Sequence, residues 1–363
     1  MLLKTENKNH DPALDLLRIT AIFLVVIYHI VGSLLKDYPR YSAQYYTLFF
    51  FLLLANCCVN CFAMLSGYLG AGKTFKWKVL LRLYLQVWFY SAGISLVAYG
   101  MGRISGTSLL LSFLPVLTEQ YWYFTAYFAL FFLMPFLHEF IERLSPVRRR
   151  VLVGVLGGLF SLLPTVANRD VFLMHGGFSC WWLMILYIAG EVIHAEKEYF
   201  LRRRCRFYYA AFFAVSAGVL GFVYLSGTLT SMLGSGGKEF RSIYIPYYSP
   251  FACLSAVLLF VAVVQTKIPA KAWCRKLLKK MAAAAFGVYL IHLQPFLWND
   301  VLSPLCREIG QGRAWWLLPG IVLTAGGCLY CICTVLEWGR EFLFTKIARI
   351  AMWRDIDVSA SKN

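Results

Sequence analysis

The chain has few charges for its length. Only 15% of its 363 residues are Asp, Glu, Lys or Arg, against roughly 25% in soluble domains. Acidic residues are the scarcer sign, 18 against 35 basic ones. No region is polar enough to stand as an appended soluble domain. No small-residue cleavage site follows the first apolar run, so no cleavable signal peptide is expected. Eleven cysteines are present, but most fall inside apolar runs. Cys58-Val-Asn-Cys61 has redox spacing in mid-run, where small apolar packing is the plainer reading. Neither a disulfide framework nor a metal site is expected. No repeat relates the two halves, which speaks against repeat-built transporter folds.

What is present is hydrophobicity. Apolar residues make up 60% of the chain and aromatics 17%. Apolar runs of about 20 residues recur along the whole length, the length needed to cross a bilayer. Ten spans are expected, near 13–35, 46–68, 79–101, 121–141, 150–167, 178–196, 207–226, 248–267, 281–299 and 315–338. The apolar stretch 108–118 is too short to cross. The fold class is therefore all-α, a polytopic transmembrane bundle of about ten spans. The expected domain limits are 1–345 for the membrane domain and 346–363 for a cytoplasmic tail.

A formal net charge of +17 on a soluble protein would suggest nucleic acid. Here the basic residues lie in short loops, and topology explains them without a nucleic-acid partner. Alternate segments carry 25 and 8 Lys and Arg residues, with Arg18 and Arg82 inside spans. The bias holds in every alternate loop and puts both termini in the cytoplasm.

An ionisable residue within a span is a functional candidate, because lipid disfavours it by several kcal/mol. The first span carries Asp15, Arg18 and His29. Asp15 and Arg18 are three residues apart and can pair on one face. His29 lies eleven residues beyond Arg18, about 16 Å deeper and almost three turns on, so both point to nearly the same side. Arg18 also reads as a snorkelling anchor, and His29 as a packing histidine. Tyr289 and His292 in the ninth span reach a similar depth, which suggests a polar cavity. Lys73, Lys76, Lys78 and Arg82 form a basic cluster after Ser66-Gly67-Tyr68-Leu69-Gly70, suited to phosphates. Glu119 and Trp122 open the fourth span, where an acid beside aromatics suits a sugar; an interface belt is the alternative. His138, His175 and His194 carry no distinct signal.

These segments together resemble acyltransferase family 3, the integral membrane O-acyltransferases of bacterial surface glycans. The resemblance rests on Leu14-Asp15-Leu16-Leu17-Arg18-Ile19 through His29, the arginine–ten residues–histidine motif of the family. It continues in Phe62-Ala63-Met64-Leu65-Ser66-Gly67-Tyr68, in the basic start of the third span, in Tyr121-Trp122-Tyr123-Phe124 with Pro135, and in Gly287-Val288-Tyr289-Leu290-Ile291-His292. It covers nearly the whole chain. It implies a ten-span bundle in a bacterial cytoplasmic membrane and an acyl-CoA donor, usually acetyl-CoA. It also implies a glycan hydroxyl as acceptor. Arg18 and His29 then become the essential pair, with Asp15 orienting Arg18. Lys78 and Arg82 match the family's basic motif on the third span. From residue chemistry Ser66, Lys73 and Lys76 are expected beside them at the donor, and Glu119, Trp122, Tyr289 and His292 on the acceptor side. The third span departs from the family in having no proline and no adjacent basic pair. The expected chemistry is general-base transfer by His29, with an acyl relay through His29 as a variant. Transport of a small polar solute or lipid-linked sugar is the competing class. Similar membrane domains also occur fused to amino-acid racemases, with a part in uptake.

Overall fold

A computed structural model describes residues 11–72, 76–232, 241–269 and 271–360. Within them the chain is helical: α1 Pro12–Leu34, α2 Ala43–Ala55, α3 Cys58–Gly70, α4 Trp77–Gly100, α5 Gly106–Ser112, α6 Trp122–Glu142, α7 Pro146–Gly157 and α8 Leu163–Ala167. The second half holds α9 Cys180–Ala195, α10 Lys197–Phe200, α11 Cys205–Met232, α12 Arg241–Tyr244, α13 Pro250–Val264, α14 Ala272–His292, α15 Ser303–Gly310 and α16 Leu318–Ala360. Among the described residues, seven stretches are long and apolar enough to cross a bilayer. An eighth is α14 taken with Leu297–Gly310, the two bent by 77°. The protein is thus an all-α polytopic membrane protein.

The first helix shows why the boundaries fall where they do. Asp11 accepts a hydrogen bond from the Ala13 N–H at 2.9 Å, and Pro12 occupies a position where a missing N–H costs nothing. The helix then runs to Leu34 in the centre of the bundle, against α2, α3, α13, α14, α15 and α16. That central position is what allows α1 to carry charge: its polar side chains meet protein rather than lipid.

Among the described residues one expected span is kept with a short turn inside it, and another is bent. The run 46–68 lies within one stretch long enough to cross, Ala43–Gly70, in which α2 and α3 meet at a turn at Asn56–Cys57. Asn56 donates to the Tyr244 carbonyl at 3.1 Å. Asn60, one turn on, donates to the Tyr247 carbonyl at 2.8 Å and accepts from the Trp182 indole at 3.1 Å. The expected span 281–299 begins earlier, at Ala272, and ends at His292. Pro295 lies just beyond, and the chain turns there because proline disfavours helix at the residue before it. A π-helical segment, Leu297–Leu302, follows the turn.

Asn60 uses both ends of its amide in a fully buried setting. Asn60→Leu would strand the Trp182 indole N–H and the Tyr247 carbonyl, at a cost of about 2 kcal/mol or more. A lowered melting temperature of the purified variant, with unchanged helix content by circular dichroism, is the expected result.

Helices α3 and α9 meet through glycines. A Cβ on Gly190 would lie 1.9 Å from the Met64 carbonyl oxygen, and one on Gly67 would lie 2.0 Å from that of Tyr187. Small residues of this kind let membrane helices approach backbone to backbone. A second polar seam joins α4, α14 and α16. The buried Glu337 accepts from Tyr90 at 2.6 Å and from Gln86 at 3.0 Å, and it pairs with Arg340. Gly287 leaves room for that carboxylate.

Candidate active site

Between α1, α3, α4, α6 and α14 lies a cavity of about 810 Å³. One end is basic. Arg18 and Lys76 line it there, and Arg18 pairs with the buried Asp15 at 3.5 Å. Ser66 lies on the same wall, donates its hydroxyl to the Phe62 carbonyl at 3.1 Å and faces the Tyr127 hydroxyl. The glycine-containing segment after it contributes Gly70 and Gly72 to the rim.

His29 lines the far part of the cavity. Its Nδ1 lies 2.8 Å from the Val25 carbonyl. A carbonyl only accepts, so in the neutral ring Nδ1 carries the proton and Nε2 presents a bare lone pair. This is the tautomer a general base needs. His292 stands behind it, with the ring centroids 5.7 Å apart in an edge-to-face arrangement. His292 is fully buried and its Nδ1 donates to the Val288 carbonyl at 2.6 Å. Trp298 packs edge-on against both rings, at 5.5 Å and 6.4 Å. The turn after α14 is what brings Trp298 back over the histidines.

Tyr289 lines the cavity one turn before His292. Its hydroxyl faces the backbone N–H groups of Tyr123 and Phe124 in the first turn of α6. Those groups have no partner within their own helix. Trp122 is on the wall as well, at 6.0 Å from Tyr247 and 4.6 Å from Phe178.

The expected residues therefore divide into two groups. Asp15, Arg18, His29, Ser66, Lys76, Trp122, Tyr289 and His292 come together in or directly behind the wall. Lys78 and Arg82 do not. Both are exposed, on the face of α4 that also exposes Leu81 and Leu85, so that face meets lipid and headgroups. The cavity face of α4 is instead the row Lys76, Val79 and Leu83. Glu119 is exposed off the wall, in a left-handed turn with φ of 50° that ends before α6 begins. Lys73 lies outside the described residues.

Several wall residues gave no distinct signal in the sequence. His138 sits at the basic end, where its Nδ1 contacts the buried Glu191 carboxylate at 3.1 Å and its Nε2 accepts from the Gly72 N–H at 3.1 Å. Glu191 is 53 positions away in the chain, so only tertiary structure pairs them. Tyr127 and Tyr187 also line the wall. Tyr127 could have been found from its spacing, one turn after Tyr123 in the quoted aromatic segment. Among the described residues no cluster of His, Cys, Asp or Glu could hold a metal ion.

One cavity thus joins Arg18 and Lys76 to His29 inside a bundle whose helices are long and apolar enough to cross a bilayer. The family model described as an acyltransferase domain matches residues 11–335. The chain belongs to acyltransferase family 3 and is a membrane acyltransferase. No curated protein and no solved structure matches it.

Proposed function

We propose that the protein moves a short acyl group, acetyl in the first instance, from cytoplasmic acyl-CoA to a hydroxyl of a cell-envelope or exopolysaccharide glycan. The observation that carries this reading is the continuity of one cavity from Arg18 and Lys76 to the bare Nε2 of His29. Cations suit the phosphates of CoA, and the depth of the cavity suits a thioester at the end of a long arm. The family supports acyl-CoA as the class of donor. The excess of Lys and Arg in alternate loops supports cytoplasmic termini and a cytoplasmic basic end in a bacterial membrane. Adding the short apolar helices α9 and α13 to the longer stretches supports ten spans. The membrane domain is taken to end near residue 345.

In the proposed step the acceptor O–H gives its proton to His29 Nε2 while its oxygen attacks the thioester carbonyl. The C–S bond then breaks, and the proton passes from His29 to the departing CoA thiolate. Tyr289 is the donor for the developing oxyanion. The backbone N–H groups behind its oxygen leave its own proton free for that purpose. His292 takes the supporting position behind His29, since its Nδ1–H is already used by Val288. Asp15 orients Arg18 toward the donor phosphates, and Trp122 offers its ring to the acceptor.

Binding of labelled acetyl-CoA to the protein in nanodiscs tests the reading. Saturable binding is expected, weakened about 100-fold by Arg18→Ala with Lys76→Ala through loss of two charge-assisted contacts. A protein that moves a solute or lipid-linked sugar without CoA would show no saturable binding, and that result would refute the proposal.

A further inference from the structure

The cavity wall carries an ordered pair of polar groups that the reaction step above does not use. Helix α6 places Tyr123 and Tyr127 four residues apart, on one face. Both line the cavity, with rings nearly parallel at 18° and centroids 6.3 Å apart. Their order along the cavity is defined by their neighbours. Tyr127 faces Ser66 and Arg18, toward the basic end. Tyr123 meets Tyr289 at 6.2 Å, toward His29. The surrounding wall is largely apolar, with Phe62, Leu65 and Phe286 among its residues. A polar ligand group passing through such a wall needs a hydrogen-bond partner at each polar position, because an unpaired buried amide costs several kcal/mol.

The arm of CoA has that pattern. Pantetheine contains two amides separated by two methylenes. Their spacing is one peptide repeat plus one methylene, about 5 Å. One turn of α6 separates Tyr123 from Tyr127 by about 6 Å along the helix. From sulfur to the first phosphorus the arm has thirteen bonds, and an extended chain of that length spans about 15 Å. Arg18 and His29 are about 16 Å apart along α1. One ligand thus satisfies both lengths with its phosphate end at Arg18 and its thioester at His29.

We propose that Tyr123 and Tyr127 form the subsite for the pantetheine arm, with each hydroxyl hydrogen-bonded to one of its two amides. Tyr127 takes the amide nearer the phosphates, and Tyr123 the amide nearer the sulfur. This assignment rests on the acyl-CoA reading above. It adds that the donor is recognised along its arm as well as at its charged end. No bond forms or breaks at either tyrosine; both are binding groups.

The test compares two ligands on the full protein in nanodiscs: CoA, and its nucleotide portion without the arm (adenosine bisphosphate). Tyr123→Phe and Tyr127→Phe keep the rings and remove only the hydroxyls. Each is expected to weaken CoA binding about tenfold and to leave binding of the armless nucleotide within about twofold. Equal weakening for both ligands would overturn the assignment, because the tyrosines would then act on the charged end or on the fold. Unchanged CoA binding in either variant would overturn it as well. A melting curve identifies any variant that has lost its fold, and the single replacement Tyr127→Trp then serves in its place, expected to exclude the arm and not the nucleotide. If the wild-type protein bound neither ligand, the acyl-CoA reading itself would fall. If it bound both and the variants did not discriminate, only the tyrosine subsite would.

Discussion

His29→Ala is expected to lower acyl transfer by about 100- to 10,000-fold while leaving donor binding within a fewfold of wild type. The size is that of a lost general base. The selectivity follows from the layout: His29 is about 16 Å along α1 from Arg18, so its loss leaves the charged end of the donor site intact. A labelled-acetyl transfer assay beside a binding assay checks both halves. Near-wild-type turnover would remove His29 from the mechanism. His29→Gln separates basicity from shape, because an amide can still bond to the Val25 carbonyl but cannot take up a proton. It is expected to be nearly as inactive as the alanine variant.

Gly190→Val is expected to prevent folding. The added Cβ would lie 1.9 Å from a backbone oxygen of α3, and no rotamer change relieves a clash with backbone. Overpacking commonly costs about 1–3 kcal/mol where neighbours can yield. Here the helices themselves would have to separate, so the cost lies at or above that range. The consequence extends to the site, since α3 carries Ser66 and much of the cavity wall. Size-exclusion chromatography of a fluorescent fusion should show an aggregate in place of a monodisperse peak. A well-folded, active Gly190→Val protein would mean that α3 and α9 do not meet as described.

Much of the site was legible because membrane chains make unusual residues conspicuous. Asp15, Arg18 and His29 stand out in an apolar run, and helical spacing alone implies that Asp15 and Arg18 pair and that Arg18 and His29 share a side. The pair at 3.5 Å and the shared cavity wall agree with that spacing. His29 and His292 were expected at similar depth; their contact at 5.7 Å needed the packing of α1 on α14. The positions of Lys78 and Arg82 were not legible. Basic residues at a helix start look alike in sequence whether they face a cavity or lipid headgroups, and a rotation of about 100° per residue decides between them. The bend after His292 was hidden for a related reason. Hydropathy averages over a window and so cannot see a bend inside an apolar run. Trp298 followed from that bend, and the His138–Glu191 contact from long-range packing.

The three rings of Trp122, Tyr247 and Phe178 have a consequence for the membrane as an insulator. They touch one another at 4.6–6.0 Å, with Trp122 and Tyr247 on the cavity and Phe178 half exposed. An energised bilayer stores an ion gradient, and a continuous file of water would discharge it. Closely packed rings leave no polar partner for water between them, and a file of water broken at one point carries no current. Side chains chosen for a sugar's apolar face are thus also the kind that keeps water from bridging the cavity to the half-exposed Phe178 beside it.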